Sequence, residues 1–209
     1  MEQRTEEWFE ARMGCVTASR TADVMAKTKS GYAASRANYM AELICERLTG
    51  ERQGGFSSAA MQWGTDTEPQ ARMAYEIMTG ATVIETGFVL HPEIAGFGAS
   101  PDGLIGNDGL IEIKCPRTKT HMKYVASQTI PAEYKPQMIL QSACTGKDVW
   151  FVSYDPRMGE GKDLYIKKFC PTAEEIAEVE KAAEQFLAEC DALFDFFNEK
   201  SNYFDKGAF

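Results

Sequence analysis

Ser100-Pro101-Asp102-Gly103, with Glu112-Ile113-Lys114 beginning ten residues after Asp102, sets two carboxylates and an ammonium inside one short stretch. Leu104-Ile105 and Leu110-Ile111-Glu112-Ile113 have strand character, and Gly106-Asn107-Asp108-Gly109 between them is turn chemistry, which predicts a β-hairpin. Alternation along the second strand puts Glu112 and Lys114 on one face and Ile111 and Ile113 on the other. A tight hairpin then brings Asp102, at the start of the first strand, beside both. Gathering such groups is costly if only packing is served. It suits a hard divalent cation with a positively charged group next to it. The plainer reading is a turn-capping Asp and a solvent-facing Glu-Lys pair, and the triplet alone leaves both readings open.

The elements that must position these groups are legible in outline. Thr5-Glu6-Glu7 caps a helix with Trp8 and Phe9 inward, Gly14 stops it, and Thr17-Ala18-Ser19 starts the next. Residues 27–35 read as an exposed loop. A helix is expected from Arg36 to Leu48, a glycine-containing break over Glu51–Phe56, and a longer helix from Ser58 to Met78 ending at Gly80. Val83–Val89 reads as one strand, and Phe97–Ala99 leads into the hairpin. Helices are predicted over 118–127 and 131–145, and strands over 149–154 and 164–169. Ile176, Val179, Ala183, Phe186, Leu187, Cys190, Leu193, Phe194 and Phe197 make an apolar stripe at helical spacing, giving a closing amphipathic helix over 172–200. The order predicts an α/β protein with a mixed sheet of about five strands flanked by helices, a helical N-terminal elaboration and a long C-terminal helix.

The 209 residues fit one domain, and 44% hydrophobic with 25% charged residues is a soluble, globular balance. No apolar run is long enough to span a membrane, and the first residues lack a signal-peptide profile. Cysteines at 15, 45, 115, 144, 170 and 190 include no Cys-x-x-Cys pair, which argues against a zinc site or a disulfide framework and for a reduced, cytoplasmic setting. The net charge of −9 argues against a general nucleic-acid coat protein. It leaves room for an enzyme that holds DNA through a local basic lining. His91 and His121 read as incidental.

Taken together, the residues resemble the restriction-endonuclease-like superfamily, and within it the phage lambda exonuclease (alkaline exonuclease) family of viral recombination nucleases. The match is carried by Trp8 to Gly14, Thr17-Ala18-Ser19, Trp63-Gly64 with Glu68, Ser100-Pro101-Asp102-Gly103, Glu112-Ile113-Lys114-Cys115-Pro116, Gln137 and Tyr154-Asp155-Pro156-Arg157-Met158. These fall in family order over residues 8–158 of a single nuclease domain spanning 1–209. The resemblance implies a restriction-endonuclease-like core and a processive 5′-to-3′ exonuclease on linear duplex DNA. It further implies mononucleotide products, a 3′ overhang for annealing-type recombination, a ring-shaped homotrimer, a single-strand annealing partner, and phage or prophage origin in a bacterial cytoplasm.

Residue roles follow from the same resemblance. Asp102 would touch both ions of a two-Mg²⁺ site, with Mn²⁺ as a substitute, and Glu112 with the Ile113 carbonyl would hold one of them. Lys114 would orient the attacking water, Glu68 would serve the second ion, and Gln137 would bond the water or a substrate phosphate. Arg12, Ser19 and Ser100 would hold a terminal 5′-phosphate. Lys29, Met61 and Trp8 would meet the duplex, while Trp63 could stack on its end or belong to the core. Two other readings stay open: a related endonuclease or repair nuclease with the same metal triad and no need of a 5′-phosphate, and a non-catalytic DNA-binding module on the nuclease fold.

Overall fold

The structure is a computed structural model that describes residues 1–53, 58–107, 109–159 and 161–199. Helix α1 (Glu6–Arg12) begins at Thr5, whose hydroxyl accepts the Trp8 N–H at 3.3 Å. The helix expected to start at Thr17 starts later. Val16–Thr17 form a short strand, β1, and a 3-10 turn over Ala18–Arg20 precedes α2 (Thr21–Met25). The reason is tertiary: the Val16 N–H is given to the Gly96 carbonyl and the Thr17 N–H to the Tyr39 hydroxyl. These two buried β-branched residues therefore stay extended. Residues 27–32 are exposed, as expected of the loop read over 27–35, but they close as a hairpin of β2 (Lys27–Thr28) and β3 (Gly31–Tyr32), with Gly31 at φ 136°. Ala34 and Ser35 already belong to the next helix, with Ala33 and Ser35 half-buried.

Helices α3 (Ala34–Thr49) and α4 (Ala59–Thr79) both stop at a glycine in the left-handed region, Gly50 and Gly80. The glycine-containing break expected over 51–56 lies partly outside the described residues. The single strand expected over Val83–Val89 is two, β4 (Val83–Ile84) and β5 (Val89–Leu90), in different sheets. The N-terminal segment causes the split. Gln3 donates its side-chain N–H to the Thr86 carbonyl at 2.8 Å, and a β-carbon on Gly87 would sit 2.6 Å from the Met1 carbonyl oxygen.

The chain continues through β6 (Phe97–Ala99), β7 (Gly103–Ile105), β8 (Gly109–Lys114), α5 (Thr118–Ser127), α6 (Lys135–Thr145), β9 (Asp148–Tyr154), β10 (Leu164–Phe169) and α7 (Ala173–Glu199). The hairpin read from the sequence is β7–β8, in register Leu104 opposite Leu110; Asp108 of its turn lies outside the described residues. The larger sheet runs β10-β9-β8-β7-β4, with β8 and β9 parallel and the other pairs antiparallel. A smaller sheet runs β1-β6-β5. Parallel neighbours need a long crossover, and α5 with α6 provides it.

Strand β8 is covered on both sides. Ile111 and Ile113 pack with Ala71 and Tyr75 of α4, while Leu110 packs with Tyr124 of α5 and Met138 of α6. Glu112 and Lys114 share the Leu110 side and so face α6. Glu112 is 1% exposed, which excludes the solvent-facing pair. Helix α7 buries Val179, Ala183, Phe186, Leu187 and Cys190, but the stripe opens to solvent beyond, with Leu193 and Phe197 exposed. Buried Arg36 of α3 clasps Glu189 of α7 at 2.6 and 3.1 Å. All six cysteines are free thiols. Among the described residues no helix is long and apolar enough to cross a membrane.

Candidate active site

Asp102 sits at the entry to β7, where its N–H donates to the Ile111 carbonyl at 3.1 Å and its Oδ2 accepts the Ile113 N–H at 2.6 Å. The N–H and C=O of one strand residue point to the same edge. The Ile113 carbonyl therefore faces the β7 side, past the end of the β7 pairing, and Ile113 lines the cavity there. Oδ1 of Asp102 has no hydrogen-bond partner among the described residues.

Glu112 is held from both sides. Gln137 Nε2 donates to Oε1 at 2.6 Å, Gln141 Nε2 donates to Oε2, and Lys114 forms an ion pair with it. The Lys114 ammonium also donates to Gln137 Oε1 at 3.3 Å and lies 5.0 Å from the Tyr134 ring centroid. Burial works against the Lys114 charge, but Glu112 and Asp102 outweigh it and hold its pKa above the usual lysine value. Asp102 is pushed the other way for a carboxylate: burial, then the charges of Glu112 and Glu68, raise its pKa well above the usual range. Burial also pushes the neighbouring Cys115 thiol up to about 12, the direction that disfavours the thiolate.

Glu68, on α4, is saturated by arginines. Arg4 donates to Oε2 at 2.8 Å and Arg72 to Oε1 at 3.0 Å; Arg72 also reaches the Asp102 carbonyl at 3.3 Å and pairs with Glu85. Arg4 has φ 69°, rare for a residue with a side chain. Gln3 before it is tied to the Thr86 and Pro101 carbonyls and Thr5 after it caps α1, so the backbone is set from both sides.

The six residues expected to serve catalysis and metal all line one cavity of about 590 Å³, and so do five of the six expected to meet DNA. The exception is Lys29, at the exposed tip of the β2–β3 hairpin. Trp8 is 8% exposed, donates Nε1–H to Ser100 Oγ at 3.0 Å and carries the Arg12 guanidinium 3.9 Å from its ring centroid. Its face is thus already taken by Arg12. That guanidinium makes no hydrogen bond or ion pair among the described residues, and burial lowers its pKa. Met61 is 59% exposed at the cavity rim. Trp63 lies outside the cavity lining and stacks under Arg157, which pairs with fully buried Asp155. The Tyr154-to-Met158 block therefore braces the fold.

Among the described residues no three His, Cys, Asp or Glu side chains form a ready metal cage. The donors on offer are the free oxygen of Asp102, Glu112 and the Ile113 carbonyl. Such a set fits a hard cation that takes one or two carboxylates and keeps several waters, and the raised pKa of Asp102 marks negative charge that a cation would compensate. The sequence reading missed Arg4, Arg72 and Gln141. The last two carry a signal in hindsight, each lying one helical turn after an expected residue, Glu68 and Gln137. Arg4 carries none.

The YqaJ-like viral recombinase domain matches residues 7–148. Two solved structures of the alkaline exonuclease LHK-Exo superpose with a TM-score of 0.88, and each comparison covers 95% of this chain and 99% of that one. One, in complex with dAMP, is 52% identical; the other, from Laribacter hongkongensis, is 51% identical. A phage related exonuclease from Haemophilus somnus 129PT shares the fold at 14% identity and TM-score 0.67, over 88% of this chain and 96% of that one. Among curated proteins none matches. With the domain match spanning most of the chain and half of its residues identical to LHK-Exo, the protein belongs to the YqaJ-like viral recombinase family, the alkaline exonucleases.

Proposed function

We propose that this chain is a processive 5′-to-3′ exonuclease on linear duplex DNA, releasing mononucleotides and leaving a 3′ overhang for an annealing partner. The observation that carries the reading is Arg12, whose guanidinium makes no hydrogen bond or ion pair among the described residues and lines the same cavity as Asp102, Glu112 and Lys114. A terminal 5′-phosphate is the ligand that such a group fits, with the Ser19 and Ser100 hydroxyls beside it. LHK-Exo has been solved with dAMP, a mononucleotide of the class that stepwise cutting would release.

Asp102, Glu112 and the Ile113 carbonyl would hold Mg²⁺, or Mn²⁺ in its place, and Glu68 would serve a second ion once Arg4 or Arg72 lets go of it. Ions bound there would supply Lewis acidity at the scissile phosphate and a more acidic water. Lys114 orients that water and stabilises the negative charge that grows as it attacks. Gln137, bonded to both Glu112 and Lys114, keeps their spacing. Arg12 takes each new 5′-phosphate after a cut and so biases motion along the strand. A homotrimeric ring in the bacterial cytoplasm would retain the duplex despite the acidic chain.

The test is digestion, with Mg²⁺, of three duplexes: linear with 5′-phosphate, linear with 5′-hydroxyl, and closed circular. Rapid loss of the first, slow loss of the second and an intact circle are expected. Cutting of the circle would instead support an endonuclease, and no cutting at all a binding module.

A further inference from the structure

Helix α6 brings a second glutamine to the site. Gln141 lies one helical turn after Gln137 on the same face, and the two amides grip the two oxygens of Glu112, Gln137 at Oε1 and Gln141 at Oε2. Gln137 is committed at both ends, since its own oxygen accepts from Lys114. Gln141 is committed at one. It is 0% exposed, and its Oε1 finds no hydrogen-bond partner among the described residues.

Turning that amide over would not help, because Oε1 would then face the Glu112 carboxylate, acceptor against acceptor. Its orientation is thus set by Glu112 alone, at the cost of an orphaned buried carbonyl, a rare feature in folded proteins. A methionine would fill the same space without an orphan. We infer that Gln141 is a positioning residue, which locks the Glu112 carboxylate in one rotamer and so presents it to the divalent cation in a single orientation. With Gln137 alone, Glu112 keeps its tie to Lys114 but is free to swing about it. The inference rests on the metal-dependent reading of the cavity given above.

Full-length wild type, Gln141→Met and Gln141→Asn are titrated calorimetrically with Mn²⁺ alone, below their thermal midpoints. The asparagine variant keeps an amide that stops one methylene short, and it answers the question if the methionine variant does not fold. Loss of a partner that orients a metal ligand costs 10–100-fold in affinity or activity. The Mn²⁺ dissociation constant should therefore rise by about that factor in both variants, while the KM for duplex stays at the wild-type value. A residue serving only the fold would lower the thermal midpoint and leave the Mn²⁺ affinity of the folded variant unchanged, and that result overturns the inference. Wild type that binds no Mn²⁺ overturns the metal reading itself, and with it the role of Gln141; this is decided before any variant is compared.

Discussion

Ile113 gives its backbone N–H to Asp102 Oδ2 at 2.6 Å. One bond thereby joins the two strands of the hairpin at the end where their regular pairing has stopped, and turns the other oxygen of Asp102 toward the cavity. The carboxylate is oriented by backbone, so of the substitutions at Ile113 only proline removes the donor.

Asp102→Asn should abolish cleavage and specific metal binding, because a neutral amide is a far weaker ligand for a hard divalent cation than a carboxylate. Its amide oxygen can still accept from Ile113. In metal-free buffer the variant should be the more stable protein, since burial and the charges of Glu112 and Glu68 disfavour the ionised Asp102. Each kcal/mol recovered raises the thermal midpoint by about 2–4 °C in a chain of this size. Calorimetry with and without Mn²⁺ reads both effects; unchanged metal affinity would remove Asp102 from the metal site.

Lys114→Ala should leave fold and duplex binding in place and lower the single-turnover rate by about 10²–10³, the cost of one preorganised charge at a developing oxyanion. Single-turnover digestion at saturating enzyme measures it. A near-normal rate would exclude Lys114 from the chemistry.

How much of this was written locally decides how much could be read. Asp102, Glu112 and Lys114 were legible because the short β7–β8 hairpin, signalled by turn residues between two apolar runs, fixes their meeting within a dozen residues. The helix caps at Thr5, Ser58, Gly50 and Gly80 were legible for the same reason. The break of the 83–89 strand was not, because it depends on Gln3 and Met1, which arrive from the far end of the chain. Nor was β1, whose amides find Gly96 and Tyr39. The arginine pair around Glu68 was hidden likewise: a glutamate on a helix says nothing about guanidiniums brought by other segments.

Arg12→Ala tests end recognition. A charge-assisted bond to phosphate contributes roughly 1.5–3 kcal/mol, so digestion of 5′-phosphorylated ends should slow by about one to two decades. The variant should also cease to distinguish phosphorylated from hydroxyl ends. Rates of wild type and variant on both ends give the answer, and a variant that keeps the full preference would place the phosphate elsewhere.

In solution the protein should be a trimer, near three times the 23.2 kDa chain mass. Light scattering coupled to size exclusion at micromolar concentration determines it, and a monomer would rule out the ring.

The parallel pairing of β8 with β9 divides the site by when its halves can form. Asp102 and Glu112 belong to one hairpin, an element that closes in roughly 1–10 μs. Gln137 and Gln141 ride on the crossover and reach Glu112 only once that helix docks and β9 finds β8, a pairing made slow by its sequence separation. During refolding the carboxylates should therefore stand together, mutually repelling and ungripped, before their amides arrive. Pulse-labelled hydrogen exchange would show the Ile113 amide protected ahead of the β9 amides, and added Mn²⁺ should speed the interval between them.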